Sequence, residues 1–204
     1  MAHDVQKRFP FKANPVYRPG KATVDDLLSF ERGLGVEHVC LVCVSVYGDD
    51  NTSILSALPD LGEPCVAIVS FNPDQASDAA LDELHAKGVR GVRVNLKTGD
   101  QRPCAEDLRS RLKQMAARIQ DKGWILQLYV GLEQIAMIAD DIPHLGGRVV
   151  IDHVGSPTPT ITACRQPGYQ QLLQLLAKGI SGLRSAASIG LTNCRTLMST
   201  AELL

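Results

Sequence analysis

Short apolar runs alternate with longer stretches of helical period along most of this chain. Val39–Ser45, Cys65–Phe71, Val89–Leu96, Trp124–Val130 and Val149–Asp152 are compact and rich in β-branched residues. That is the pattern of strands covered on both faces. Asn51–Leu58, Asp74–Lys87, Ala105–Lys122, Leu132–Asp140 and Pro167–Lys178 read as helices, the last with proline near its start. Ahead of them, Thr23 reads as the N-cap of a helix with Asp25 and Asp26 in its first turn. Leu27, Leu28, Phe30 and Leu34 supply its apolar face, and Gly33 and Gly35 end it.

Five strands each followed by a helix imply a parallel sheet. A complete (βα)8 barrel typically needs about 250 residues, and this chain has 204. The expectation is an α/β fold: either an open sheet or an incomplete (βα)8 barrel of about five units. Residues 1–22 are expected to be irregular, broken by Phe9-Pro10-Phe11, Asn14-Pro15 and Arg18-Pro19-Gly20. Residues 179–204 are rich in Ser, Gly, Ala and Thr and show no strand-like run. They are expected to form an irregular C-terminal tail with a short helix near Thr196–Leu203, beyond a partial barrel domain at 1–178.

With 45% hydrophobic residues and a formal net charge of -1, the chain reads as a globular protein of cytoplasmic character. The charge gives no footing for nucleic acid. No apolar run reaches the roughly 18 residues of a membrane span. The six cysteines are scattered, which argues against a disulfide framework. Cys40 and Cys43 have CxxC spacing but sit within a strand, where positions three apart face opposite ways. With Cys65 they read as small buried hydrophobes. No histidine pair has HxH or HExxH spacing, so no metal ligands are assigned.

Parallel α/β folds place their chemistry at the C-terminal ends of the strands. The run Val149–Ile151 ends in Asp152 and His153, and a glycine follows at 155. His153 is therefore the leading catalytic candidate, against the alternative of a histidine that caps the loop. Arg93 and Asn95 lie two apart on the third strand, and so share a face. A buried arginine must be paired: Arg93 either anchors a carboxylate or phosphate or pairs with a core carboxylate such as Asp152. Gln127 and Tyr129 share a face of the fourth strand. Tyr129 either donates to a substrate oxygen or is a core tyrosine with a wet tip. Asn95 and Gln127 read as an internal hydrogen-bond layer. Ser45, Tyr47, Asp49 and Asp50 follow the first strand where a substrate would bind, although Asp50 and Asn51 read better as helix caps.

Arg8-Phe9-Pro10-Phe11, Tyr47-Gly48-Asp49-Asp50-Asn51, the Gly88–Asn95 segment GVRGVRVN, Leu128-Tyr129 and the Val150–Gly155 segment VIDHVG stand in one order and spacing. Together they resemble the amidohydrolase-related TIM-barrel family, in its 2-pyrone-4,6-dicarboxylate lactonase-like branch, over roughly residues 4–178. The resemblance implies a barrel that hydrolyses a lactone or a related ester or amide of a small carboxylated molecule. It implies that His153 polarises the scissile carbonyl, that Arg93 binds a substrate carboxylate, and that Tyr129 and Ser45 contact the substrate; Tyr47 is a substrate-binding candidate by its place on the same loop as Ser45. The resemblance implies one or two divalent metals in the wider superfamily and no required metal in the lactonase branch, hence no cofactor.

The departures from that pattern carry their own expectations. The HxH motif that opens the family would fall at or before Met1. Nothing from Gly179 onward resembles the GTDWPHP-like strand whose aspartate serves as base. The arginine of the family's DHxGRP motif is Ser156 here, and the second basic residue of the third strand's loop is missing near Gly99. The chain thus looks like strands two to six of such a barrel, truncated at both ends, as from an altered splice or reading frame. Alternation turns Asp152 away from His153 and makes it a poor substitute base, so the hydrolase is expected to be impaired. The competing function is an inactive remnant that binds a small carboxylate or a partner protein and self-associates through unpaired strand edges. A nucleotide-binding open sheet would need a glycine-rich turn, whereas Gly131 and Gly155 are isolated.

Overall fold

The computed structural model describes residues 8–184, apart from residues 16, 21, 33, 37, 63–64, 98–103 and 180. Cys194 and the helix expected near Thr196–Leu203 lie outside the described residues. The chain divides into two compact units, residues 1–93 and 94–204.

The first unit holds α1 (Val24–Arg32), β1 (Val39–Val42), α2 (Thr52–Leu61), β2 (Cys65–Val69), α3 (Asp78–Ala86) and most of β3 (Val89–Asn95). β1 runs parallel to β2 with Val39 opposite Cys65, and β2 runs parallel to β3 with Val69 opposite Val92. Ala67, Val69, Leu81, Val89 and Val92 are wholly enclosed between the sheet and its helices. Each valine or leucine among them contributes about 1.5–3 kcal/mol on leaving water.

Thr23 caps α1 as expected. Its Oγ1 accepts from Asp26 N at 3.1 Å, while its own N–H donates to Asp26 Oδ2 at 2.9 Å. The apolar face expected of that helix is not buried, however: α1 has no buried residue, and Phe30 and Leu34 are 67% and 62% exposed. A sound cap and an amphipathic spacing start a helix, but they do not supply a partner for its face. α3 begins four residues later than the periodicity suggested. Asn72 accepts from Asp74 N through its side chain and from Gln75 N and Ala76 N through its carbonyl, so an Asx turn takes those residues first. Ser77 then caps the helix, accepting from Ala80 N at 3.2 Å.

The second unit holds α4 (Ala105–Ile119), β4 (Ile125–Tyr129), α5 (Leu132–Ile138), β5 (Val149–Asp152), α6 (Tyr169–Ala177) and β6 (Ser181–Arg184). β4 runs parallel to β5 with Leu126 opposite Val149, and β5 runs parallel to β6 with Asp152 opposite Arg184. β6 is a correction, since it falls in the tail expected to be irregular. Its sequence, Ser-Gly-Leu-Arg, has little strand character, and pairing with the buried β5 overrides that. Leu128 and Ile151 are fully buried, as are Leu112 on α4 and Ile135 and Ile138 on α5. α6 starts at Tyr169, because Gly168 takes a left-handed φ of 84° where the chain passes Leu132.

Among the described residues no helix is long and apolar enough to cross a membrane. Cys43 is buried as expected, and Cys40 and Cys65 only partly so. Desolvation pushes the Cys65 thiol up, with the Glu31 carboxylate adding to the effect.

Candidate functional site

Within the second unit, two polar layers build up at the C-terminal ends of β4 and β5. The lower is Gln127 and Asp152, both 0% exposed, with Gln127 Nε2 donating to Asp152 Oδ1 at 2.6 Å. Gln127 thus belongs to an internal polar layer, as expected. The upper pairs Tyr129 with His153: their rings lie 5.0 Å apart at 67°, edge to face. Such a contact orients an imidazole without neutralising it.

The turn that carries His153 is left-handed over four successive residues, with φ of 51° at His153, 54° at Val154, 71° at Gly155 and 42° at Ser156. For a β-branched residue such as Val154 this is an outlier, and left-handed backbone costs about 1–3 kcal/mol per non-glycine residue. Val154 gains little burial in exchange, being 38% exposed. The turn is closed by Ser156 N donating to His153 O at 2.9 Å. Gly155 backs onto Leu132 and Ile135 so closely that a Cβ would lie 2.7 Å from Ile135 Cδ1. Strain of this kind gathers where a side chain must be aimed.

The same turn overturns the argument that alternation separates Asp152 from His153. Asp152 bonds to Gln127, and Tyr129 shares Gln127's face of β4. The left-handed φ breaks the alternation at His153 and brings its imidazole back against Tyr129. Asp152 remains a poor base for another reason, because it is wholly enclosed.

A lysine absent from the sequence-derived candidates joins this end of the unit. Lys97 follows β3, and its Nζ lies 3.4 Å from Ser156 O and 3.9 Å from Glu133 Oε1. Lys97 N donates to Asn95 Oδ1 at 3.2 Å, so Asn95 serves a local turn. Leu96 N donates to Tyr129 O at 3.0 Å, and Gln134 Nε2 donates to Leu96 O at 3.2 Å. No sequence period marks Lys97; only the approach of β3's end to the β5 turn does.

The remaining candidates lie in the first unit. Arg93 Nη1 donates to Cys43 O at 3.0 Å, which ties the guanidinium to the start of the loop carrying Ser45 and Tyr47. That loop opens with a helical turn over Ser45–Tyr47, and Tyr47 stacks obliquely on Phe11 at 5.3 Å. Desolvation raises the Tyr47 phenol above its ordinary value, with the Asp50 carboxylate as the second cause. Asp49, Asp50 and Asn51 hold structure. Asp49 accepts from Ser70 Oγ at 2.6 Å, and Asn51 Nδ2 donates to Ser70 O at 2.7 Å. Asp50 Oδ1 accepts from Thr52 N at 2.9 Å, and that bonding to Thr52 holds its carboxyl below the usual range.

Among the described residues no group of three or more His, Cys, Asp or Glu side chains could hold a metal ion. A cavity of about 170 Å³ lies at the opposite, N-terminal ends of β4 and β5, lined mainly by Ile119, Trp124, Leu126, Leu145 and Val149. Its apolar walls and its position set it apart from the polar strand ends.

Residues 2–180 match the family model described as amidohydrolase. A 2-pyrone-4,6-dicarboxylate hydrolase of Comamonas testosteroni is 30% identical over 154 residues, 74% of this chain and 48% of that protein. The crystal structure of a putative 2-pyrone-4,6-dicarboxylic acid hydrolase from Pseudomonas putida is 28% identical, with a TM-score of 0.72 over 91% of this chain and 65% of that one. A probable enzyme of the same name from Acinetobacter baumannii, solved with citric acid bound, is 22% identical with a TM-score of 0.72 over 88% of this chain and 66% of that one. The chain therefore spans about half of the curated relative and just under two thirds of these two solved structures. The fold is an incomplete (βα)8 barrel, one of the two architectures that the βα alternation left open.

Proposed function

The chain belongs to the amidohydrolase family, and from that premise we propose that it is a hydrolase of lactones, or of related esters or amides, of small carboxylated molecules, impaired as it stands by the enclosure of Asp152. The observation that carries the reading is the strained left-handed turn that holds His153 edge-on to Tyr129 at the C-terminal ends of β4 and β5. Names of relatives support the substrate class: the proteins from C. testosteroni and P. putida are called hydrolases of a pyrone dicarboxylate.

In this reading water adds to the lactone carbonyl carbon, the ring C–O bond breaks, and the water's proton ends on the departing ring oxygen. The product is an open-chain hydroxy acid or its keto form. His153 hydrogen-bonds the carbonyl oxygen as charge builds on it, a contribution that grows in the transition state. Tyr129 fixes the plane of the imidazole and offers its hydroxyl to the substrate. Arg93 binds a carboxylate, and Ser45 and Tyr47 contact the substrate. The described residues offer no ligand set for a metal, so no step runs through one. The weak point is the base that activates water. Asp152 is enclosed and bonded to Gln127, which leaves it unsuited to that role. A positioned base contributes about 10²–10⁴-fold, which is the size of impairment expected.

Residues 1–178 act in this reading as the partial barrel domain, to which β6 adds a strand beside β5. The protein is placed in the cytoplasm, free of nucleic acid and membrane, and associates with itself through strand edges. The enclosure of Asp152 favours a second reading, an inactive remnant that binds a carboxylate or a partner protein. Hydrolysis of a panel of pyrone lactones separates the two, assayed with this chain and with His153→Ala. Turnover above background that vanishes in the variant supports the hydrolase. Protection against unfolding by a carboxylated ligand, with no turnover, supports the remnant.

A further inference from the structure

We propose that Lys97 is the anion-binding residue of the β5 turn, holding one carboxylate of a small carboxylated ligand with the Ser156 hydroxyl as a second donor. The proposal deepens the substrate class of the proposed function and rests on that reading. Neither residue was a binding candidate on sequence grounds, since Lys97 lies outside every motif and Ser156 stands where the resemblance led us to expect an arginine.

Three observations carry it. First, Lys97 is mounted on a fixed platform rather than on a loose loop. Its N–H is held by Asn95 Oδ1 at 3.2 Å, and the preceding Leu96 is held on both sides, by Tyr129 O at 3.0 Å and Gln134 Nε2 at 3.2 Å. Gln134 is itself fixed, because its Oε1 accepts from Gly131 N at 2.9 Å. Preorganisation of this kind lowers the ordering cost of binding.

Second, the ammonium is incompletely neutralised. Its side chain is 32% exposed, and its carboxylate neighbour is Glu133 at 3.9 Å, itself 56% exposed. A pair that long and that wet is worth little. The ammonium instead leans 3.4 Å from Ser156 O, a neutral acceptor at the turn that aims His153. An entering carboxylate is a better acceptor than either.

Third, Ser156 Oγ is buried and has no hydrogen-bond partner among the described residues. An unmet buried hydroxyl is unfavourable, and an anion held by Lys97 at the same residue would give it an acceptor. Lysine presents a compact point charge where arginine presents a two-pronged fork. The site therefore binds a carboxylate at one point and is tolerant of the rest of the ligand's shape.

Isothermal titration with isophthalate, a planar dicarboxylate that cannot be hydrolysed, tests this, with neutral isophthalamide as the control probe. The chain should bind isophthalate and not isophthalamide. Lys97→Ala should weaken isophthalate about tenfold, while Lys97→Arg, which keeps the charge, should stay within about threefold. Glu133→Gln should change it in the opposite sense and tighten binding, because a competing negative charge is removed. Unchanged melting temperatures show that the variants fold. Absence of isophthalate binding in the parent chain overturns the proposal, as does equal binding by the parent and Lys97→Ala. Lactone turnover is read separately. Turnover with Lys97-independent isophthalate binding removes this proposal and keeps the hydrolase; Lys97-dependent binding without turnover does the reverse.

Discussion

Gln127 Nε2 donates to Asp152 Oδ1 at 2.6 Å, with neither residue exposed to solvent. The bond joins β4 to β5 one layer beneath the Tyr129–His153 contact, so it fixes the strand end from which the His153 turn departs. Removing one partner of a buried charge-assisted bond costs far more than the bond's net worth, because the other partner stays desolvated. Gln127→Leu is therefore expected to lower stability by about 3 kcal/mol, read as the midpoint and slope of urea unfolding. A loss below about 0.5 kcal/mol would mean that the pair does not hold the strand ends together.

The edge-to-face contact of Tyr129 with His153 gives a kinetic expectation. Tyr129→Leu removes the ring that fixes the imidazole and should lower lactone kcat/KM about tenfold, whereas Tyr129→Phe keeps the ring and loses only the hydroxyl. The His153 ring-proton shifts in NMR spectra should move in the leucine variant and stay nearly fixed in the phenylalanine one. Unmoved His153 shifts in Tyr129→Leu would refute the orienting role.

Gly155 takes a φ of 71°, and a Cβ there would meet Ile135 Cδ1 at 2.7 Å and Leu132 Cδ2 at 2.8 Å. Gly155→Ala combines left-handed strain with overpacking against α5 and should cost about 3 kcal/mol. Gly147→Ala is the control, since that glycine has no positive φ and its Cβ would meet nothing within 4 Å. Equal thermal stability of the two variants would show that the turn adapts.

Tyr47 gives a pH expectation. Burial first, and the Asp50 carboxylate second, raise its phenol above 10.0 in the folded chain. A group whose folded pKa is raised contributes stability that is fully present below its unfolded pKa and is lost as pH rises through the folded value. Stability should therefore fall above about pH 10, and Tyr47→Phe should flatten that part of the curve. In a phenolate absorbance titration, Asp50→Asn should shift the Tyr47 midpoint downward. An upward shift would contradict the assigned cause.

The five strands from Val39 to Asp152 were legible because a strand covered on both faces needs a continuous apolar run whatever lies around it. The polar pairs on β3 and β4 were legible for a similar reason: side chains two apart on a strand share a face in any sheet. Helix ends were less legible where turns compete. Asn72 captures three backbone N–H groups and delays α3, and Gly168, turned left-handed beside Leu132, delays α6.

What the sequence determined by itself is local: the βα alternation, the Thr23 cap, and the placing of His153 just past the end of β5. Hydrophobic period and capping chemistry act within a few residues and need no partner. Tertiary structure alone decided the rest. The left-handed turn brings His153 back to Tyr129, β3's end carries Lys97 to Ser156, and β6 forms from a segment with little strand character. It also left Phe30 on α1 and Leu34 just beyond it uncovered. Each of these depends on contacts between residues far apart in the chain, where an approach of two strand ends outweighs what any single residue prefers.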